Sequence, residues 1–241
     1  MWDEMRLFVN RFGFALEGLK AAWPICLGYL PIGFAFGVLA QKAGLDLLDI
    51  ALMSILVYAG SSQFIAVAML SSTAAPLSII LTTFIVNLRH LLMSSSLAVH
   101  LHGEGRRFLS VFAYGVTDES FAVNLVKFRA GEWHRYQALA VNQISNFTWI
   151  GSTILGGYTG QFILAGSYGI DYALSAMFLC LLTFQLRGRI YLVTAIISGA
   201  AAIGISLVVP GNGFVIMASL FGATAGFALK RYAQRKRGSY A

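Results

Sequence analysis

The chain is poor in charge. Only 11% of its 241 residues are Asp, Glu, Lys or Arg, whereas 58% are hydrophobic. A soluble domain carries about 25% charged residues, so this composition excludes an ordinary soluble globular protein. Three long stretches, Ile50–Leu88, Tyr136–Ile170 and Ile190–Leu229, contain no charged residue. Because a membrane-spanning helix needs about 20 mostly apolar residues, each stretch holds one or two spans. The composition predicts an all-α, polytopic bundle of transmembrane helices in a lipid bilayer.

Cysteine is scarce as well. Cys26 and Cys180 lie in apolar segments without the CxxC spacing of a metal site, so we interpret both as packing residues. We expect no metal, no cofactor and no enzyme activity. The 17 basic residues outnumber the 10 acidic ones, but they gather at the ends of the apolar stretches. That placement is typical of cytoplasmic loops and does not predict a nucleic-acid partner.

Turn-forming segments divide the longest apolar stretches. Eight spans result, and seven spans with one re-entrant segment are the alternative. The predicted spans are 17–40, 50–70, 77–101, 108–128, 136–157, 170–186, 190–209 and 213–230. With both termini inside, most basic residues lie on the cytoplasmic side, which favours an N-in/C-in orientation. We predict one membrane transporter domain, 1–241, with an interfacial N-terminal segment, 1–16, and a basic cytoplasmic tail, 231–241.

A short pattern recurs in the two halves of the chain. Four positions reappear at the same offsets, Asp49, Ala51, Leu52 and Gln63 in the first half and Asp171, Ala173, Leu174 and Gln185 in the second. Transporters are often built from internal repeats. The pattern is compatible with an internal repeat and equally with chance in apolar sequence.

One charge stands deep inside apolar sequence. Arg89 is the only charged residue between Ile50 and Gly103 and lies at the midpoint of the third predicted span. A charge in hydrocarbon is costly and is usually functional. We expect Arg89 to face the bundle interior and to meet a carboxylate, an anionic ligand or water, with a purely structural ion pair as the alternative. Asp118 and Glu119 in the fourth predicted span can pair with it, hold an ammonium group or accept a proton.

Other polar side chains accompany these charges. Asn87 and His90 share the span of Arg89, and His90 can carry a coupled proton or serve as a neutral hydrogen-bonded histidine. The segment "YAGSSQF" places Gly60, Ser61, Ser62 and Gln63 in the middle of the second span. It predicts either an unwound segment that offers polar groups to a ligand or a small-residue helix contact.

Two further spans have distinctive patterns. In the first span, Pro24 and Pro31 together with several glycines predict a kinked or broken helix. In the fifth span, polar residues recur at three- and four-residue steps and predict a face turned to a pathway or a subunit interface rather than to lipid. These residues are Asn142, Ser145, Asn146, Trp149 and Thr153.

The polar interior suits a zwitterion with an apolar side chain. Its carboxylate would meet Arg89, its ammonium would meet Asp118 or Glu119, and its side chain would lie among aliphatic and aromatic residues. An inorganic ion has no need of the apolar surroundings, and a large lipid has no need of the paired charges.

Four motifs carry a family resemblance. "LPIGFAFG", "YAGSSQF", "NLRHLLM" and "TDESFA", in this order, resemble the AzlC-type branched-chain amino acid permeases, the large subunits of two-component exporters in bacterial inner membranes. The resemblance implies export of L-valine and similar amino acids, driven by the proton gradient, by a multi-pass protein of the cytoplasmic (inner) membrane. It also implies a small AzlD-type membrane subunit as partner. Carried over by position, the motif residues are Gly60, Ser61, Ser62, Gln63, Asn87, Arg89, His90, Asp118 and Glu119.

Two other functional classes compete with a carrier. An amino acid or small-solute channel would use the same polar interior. An intramembrane serine hydrolase would use Ser61 or Ser62 as nucleophile and His90 as base. The segment "GSSQF" lacks the second glycine of a GxSxG turn, which disfavours the hydrolase.

Overall fold

The regular structure of the chain is α-helical. The computed structural model describes residues 2–131, 133–163, 188–208 and 213–238, with isolated positions between 172 and 186. Over these residues there are nine helices and no strand, which confirms the predicted all-α class. The helices are α1 (Trp2–Lys42), α2 (Leu47–Leu56), α3 (Gly60–Ser71), α4 (Pro76–Ala98), α5 (Arg106–Tyr114), α6 (Asp118–Arg129), α7 (Arg135–Gly160), α8 (Arg189–Val208) and α9 (Gly213–Gly238).

Three of the described helices are long and apolar enough to cross a membrane. They are Gly13–Lys42 within α1, Pro76–Ala98, and Ile190–Val208 within α8. This finding agrees with a helical membrane protein, while the span count and the orientation stay predictions. The predicted span 170–186 lies outside the described residues apart from isolated positions. The second copy of the predicted repeat also lies outside them at Asp171, Ala173, Leu174 and Gln185.

The chain divides into two compact units. The first contains Met1–Ala68 and Val86–Ala173, and the second contains Met69–Ile85 and Leu174–Ala241. In the first unit, α7 packs along α1 and also contacts α2 and α6. In the second unit, α8 packs against α9. All the predicted site residues belong to the first unit.

Helix α1 is uninterrupted although it contains Pro24 and Pro31. Of the kinked or broken helix that these prolines predicted, the break does not occur, and the kink stays a prediction. Residues 2–16 belong to the same helix as the first span. Proline is tolerated in a membrane helix where neighbouring helices support the backbone. The glycines of α1 permit such support, since a Cβ on Gly37 would lie only 2.1 Å from the carbonyl oxygen of Thr153 on α7.

The second predicted span, 50–70, is interrupted. Helix α2 ends at Leu56, α3 begins at Gly60, and Tyr58 between them has a φ of 40°. A positive φ is uncommon for a residue with a side chain and costs of order 1–3 kcal/mol. An interruption in "YAGSSQF" is therefore confirmed at Tyr58 and Ala59, whereas the glycine and serines, where the unwinding was expected, belong to α3.

The fourth predicted span, 108–128, is also interrupted, and the prediction of one continuous helix was wrong. A new helix begins at Asp118 behind the N-cap Thr117, whose Oγ1 accepts a hydrogen bond from the backbone N of Ser120 at 3.3 Å. The Ser120 hydroxyl in turn accepts one from the Thr117 backbone N at 2.9 Å. Asp118 and Glu119 occupy the first turn, where acidic side chains stabilise the positive end of the helix dipole. This local capping explains why the helix restarts there.

The two interruptions contact each other. The hydroxyl of Tyr114, the last residue of α5, donates to the carbonyl oxygen of Ile55 at 2.5 Å. The Tyr114 ring lies 5.9 Å from the ring of Tyr58. Carbonyl groups at a helix C-terminus lack intrahelical partners, so Tyr114 supplies a partner at the end of α2 and joins the two interrupted helices.

The polar face of α7 is turned to the rest of the chain. Because the neighbours of these residues are other helices of the first unit, this face is not turned to lipid, as predicted, and the expectation of a subunit interface was wrong. A place of this face on a pathway stays a prediction. Asn142 donates to the carbonyl oxygen of Phe112 at 3.0 Å, and the Thr153 hydroxyl lies 2.8 Å from that of Ser54. The five residues are all buried, namely Asn142, Ser145, Asn146, Trp149 and Thr153.

Candidate functional site

Arg89 lies where the two interrupted helices resume. Its Nη1 is 2.8 Å from Oδ2 of Asp118, and its Nη2 donates a hydrogen bond to the hydroxyl of Ser61. Ser61 is the second residue of α3, and Asp118 is the first residue of α6. One cation on α4 therefore contacts the N-terminal turns of both helices. Of the two acids that could pair with Arg89, the structure selects Asp118 rather than Glu119.

This ion pair is not sealed inside the first unit. The side chains of Arg89 and Asp118 are 31% and 33% exposed. The Nε of Arg89 is buried and has no hydrogen-bond partner within the described part of the chain. Because a guanidinium has five N–H donors and helix N-termini attract anions, the cluster has spare capacity for a second carboxylate.

His90 and Asn87 flank Arg89 on α4. His90 Nδ1 lies 2.9 Å from the carbonyl oxygen of Val116, and since a carbonyl only accepts, Nδ1 carries the hydrogen. The ring therefore ties α4 to the link between α5 and α6. His90 Nε2 and Asn87 Oδ1 are buried and find no hydrogen-bond partner among the residues that the structure describes. The proton role of His90 stays a prediction.

Glu119 belongs to a second group of side chains. The hydroxyl of Tyr29 on α1 lies 2.7 Å from Glu119 Oε2 and 2.8 Å from Thr117 Oγ1. A phenol has one proton and a carboxylate only accepts, so Tyr29 donates to Glu119 and accepts from Thr117. None of the ion pairs formed within the described part of the chain involves Glu119.

Hydrogen bonds fix the remainder of the "YAGSSQF" segment. The Ser62 hydroxyl donates to the backbone carbonyl three residues earlier at 3.0 Å. Gln63 Oε1 accepts from Trp149 Nε1 at 3.0 Å, and a Cβ on Gly60 would lie 3.0 Å from the same indole ring. Ser62 and Gln63 are fully buried. Their contacts support the helix restart, and a role of these residues in substrate binding stays a prediction.

Sequence reasoning missed Tyr29 and Tyr58. Both are buried, with 7% and 2% of their surfaces exposed. A buried tyrosine usually needs a partner for its hydroxyl, so a tyrosine inside an apolar span was the available signal. Tyr29 finds Thr117 and Glu119, and the ring of Tyr58 lies beside that of Tyr114.

The serines and the histidine do not form a nucleophile–base pair in this structure. Ser61 bonds to Arg89, Ser62 bonds to a backbone carbonyl, and His90 bonds to Val116. Over the described ranges, no group of three or more His, Cys, Asp or Glu could hold a metal ion. The chemistry that the cluster offers is reversible binding of a carboxylate, an ammonium group or a proton.

Known proteins are similar to this chain over most of its length. A membrane protein of Archaeoglobus fulgidus is 34% identical over 86% of this chain and 91% of its own. The inner membrane protein YgaZ of Escherichia coli is 31% identical over 80% of this chain and 81% of its own. The branched-chain amino acid transport protein AzlC of Bacillus subtilis is 26% identical over 82% and 78%. No solved structure matches the chain.

The sequence profile of the AzlC protein matches residues 24–163. This range contains both interrupted helices, Arg89 and the two acids of α6. The match covers more than half of the chain, and the motifs that suggested the family fall inside it. The chain belongs to the AzlC family of membrane proteins.

Proposed function

We propose that this chain is the transport subunit of a secondary carrier that exports branched-chain amino acids, L-valine and similar ones, driven by the proton gradient. The observation that carries the proposal is the cluster of Arg89, Ser61 and Asp118 at the restart of two interrupted helices. Half-helix N-termini of this kind bind substrate carboxylates in known transporter folds. The name of the Bacillus subtilis relative supports the substrate class.

The two groups of side chains suit the two ends of a zwitterion. The substrate carboxylate would bind Arg89 beside the first turn of α3, near Gly60 and Ser61. The ammonium group would bind an acid of α6, and Glu119 is the better placed because Asp118 already neutralises Arg89. The aliphatic side chain would lie among apolar residues of the spans.

The partner and the location follow from the same assignment. The carrier works in the cytoplasmic (inner) membrane as a multi-pass protein, together with a small AzlD-type membrane subunit. Many apolar side chains of α8, among them Ile196, Ile203 and Leu207, are exposed on the isolated chain. Such exposed apolar faces need lipid or another membrane subunit to cover them.

The two alternative functions have less support. A serine hydrolase requires a nucleophile within reach of its base, whereas Ser61, Ser62 and His90 each bond elsewhere. A channel would use the same polar residues, and its currents would rise linearly with driving force. A carrier saturates with substrate.

Counterflow in proteoliposomes tests the proposal. The purified chain is reconstituted with and without the small subunit, and uptake of labelled L-valine is measured against internal unlabelled amino acids from a panel. We expect saturable exchange of branched-chain amino acids and stimulation by an imposed proton gradient. Ohmic currents would indicate a channel, and absence of amino acid counterflow in the complete complex would overturn the proposal.

A further inference from the structure

Asp118 and Glu119, the two neighbouring acids of α6, have different partners. Asp118 pairs with Arg89 at 2.8 Å. Glu119 forms no ion pair within the described residues, and the hydrogen bond found for its carboxylate comes from the neutral phenol of Tyr29 at 2.7 Å. Both side chains are half-buried. One acid is therefore committed to a cation inside the protein, whereas the other is left without a positive partner.

Several titratable side chains surround Glu119. Tyr29 reaches it from α1 and donates a hydrogen bond to it, and the buried Tyr58 lies in the link between α2 and α3. The charged and titratable groups on the elements around Glu119 are Tyr29 on α1, Tyr58 in the α2–α3 link, Arg89 and His90 on α4, Tyr114 on α5 and Asp118 on α6. Arg89 is already paired with Asp118. His90 donates from Nδ1 to Val116, and its buried Nε2, which has no partner among the described residues, is a second group that can take up a proton.

A carboxylate in such a place has two ways to gain a positive partner. It can take up a proton and become neutral, or it can receive the ammonium group of a ligand. The two events exclude each other, because both use the same negative charge. A single site that is shared in this way links the movement of a proton to the movement of a substrate.

We propose that Glu119 is the group at which the proton and the substrate ammonium compete, and that Tyr29 is the residue that positions its carboxylate for both. This inference rests on the proposed function. When the zwitterion leaves, the Glu119 carboxylate gains one proton, and when the next zwitterion binds, that proton is released. No bond other than the O–H bond of the carboxyl group forms or breaks. The net result is one proton moved against one substrate molecule.

Replacement of Glu119 by Gln tests the competition. In wild type we expect the apparent KM for valine to rise as the pH falls, because protons displace the substrate. In Glu119→Gln we expect counterflow with a KM raised about tenfold, the cost of one charge-assisted hydrogen bond, and no dependence of KM on pH. Glu119→Asp, which keeps a titratable group, retains the pH dependence. Wild-type pH dependence in Glu119→Gln would overturn the inference and leave the proposed function intact, whereas absent wild-type counterflow would refute the function itself.

Replacement of Tyr29 by Phe tests whether Tyr29 positions the Glu119 carboxylate. It keeps the inference testable even if Glu119→Gln is inactive. A carboxylate that loses a donated hydrogen bond takes up a proton more readily, so the midpoint of the pH profile should move upward by about one pH unit. Tyr114→Phe is the matched control, because it removes a phenol hydrogen bond at the same pair of interruptions but none to Glu119. Its midpoint should equal that of wild type. A lower rate with an unmoved midpoint in Tyr29→Phe, or an equal shift in the control, would refute the role of Tyr29.

Discussion

Within the first unit, helix α1 and the α5–α6 segment differ in whether the helix is continuous. Helix α1 contains Pro24 and Pro31 and runs without interruption from Trp2 to Lys42. The segment from Arg106 to Arg129 contains no proline, yet it is split into two helices. The residue type most often associated with helix breaks therefore does not decide where these helices break.

The difference in continuity depends on which groups support the backbone or form hydrogen bonds with it. Helix α1 is supported along its length by α7, which approaches closely at glycines such as Gly37 and Gly156. At the interruption between α5 and α6, Thr117 and Ser120 cap the new helix, and His90 and Asn142 bond to the carbonyl oxygens of Val116 and Phe112. In a membrane, a helix can end only where other groups satisfy its backbone. Capping and packing decide continuity in this protein, and the capped interruption is also where Arg89 lies.

The largest expected effect comes from removing the cation at the interrupted helices. We expect Arg89→Ala to abolish transport without loss of protein from the membrane. Arg89→Lys should lower the transport rate about tenfold or more. The single ammonium group of lysine cannot replace the planar guanidinium, which contacts Ser61 and Asp118 at the same time. Lys20→Ala, at an exposed cation of uninterrupted α1, is the control and should transport normally. Valine counterflow is the measurement, and normal counterflow in Arg89→Ala would refute a substrate role for this residue.

The contact that supports α1 is the next to test. A Cβ on Gly156 would lie 2.1 Å from the carbonyl oxygen of Phe34, a backbone atom that cannot rotate away. We expect Gly156→Ala to lower the free energy of unfolding by about 3 kcal/mol, the upper range for overpacking. Gly151→Ala on the same helix has no atom within 4 Å of the new Cβ and should be neutral. Unfolding in mixed micelles measures both, and equal stability of the two variants would contradict close packing of α1 on α7.

The cap of α6 should contribute less. Thr117→Val keeps the shape of the side chain but removes the oxygen that accepts from Ser120. We expect the free energy of unfolding to fall by about 1 kcal/mol, as for other N-cap losses. Thr117→Ser keeps the oxygen and should remain close to wild type. If valine and serine variants are equally stable, local capping is not what restarts the helix.

The smallest effect is expected at the prolines of α1. Pro24 is exposed on the surface of the isolated chain, within a helix that stays continuous around it. We expect Pro24→Ala to change the free energy of unfolding by less than about 1 kcal/mol, because packing against α7 already supports the helix. Valine counterflow should be unchanged. A large loss of transport in this variant would mean that the proline itself has a role in the transport cycle.

Part of the site was predictable from local signals. Arg89, Asp118 and Glu119 stood out because charges are rare in apolar spans. An interruption at "YAGSSQF" was expected from its glycine and serines, although it falls at Tyr58 and Ala59, just before them. The restart of α6 was also encoded locally, since a threonine followed by two acids is an N-cap signal. It was overlooked because the span was interpreted as one continuous stripe. The polar face of α7 could not be assigned, because buried polar residues have the same spacing whether they meet a pathway or a neighbouring helix.

Composition and the lengths of the apolar stretches determined the class of this protein from sequence alone, because the thickness of the bilayer dictates both. The order of four short motifs determined the family. Only the tertiary structure decided that Arg89 pairs with Asp118, and that Tyr29 reaches Glu119 across 90 positions of sequence. Such contacts depend on how α1, α4 and α6 pack against one another. Spacing along a single helix carries no information about which side chain another helix will bring to it.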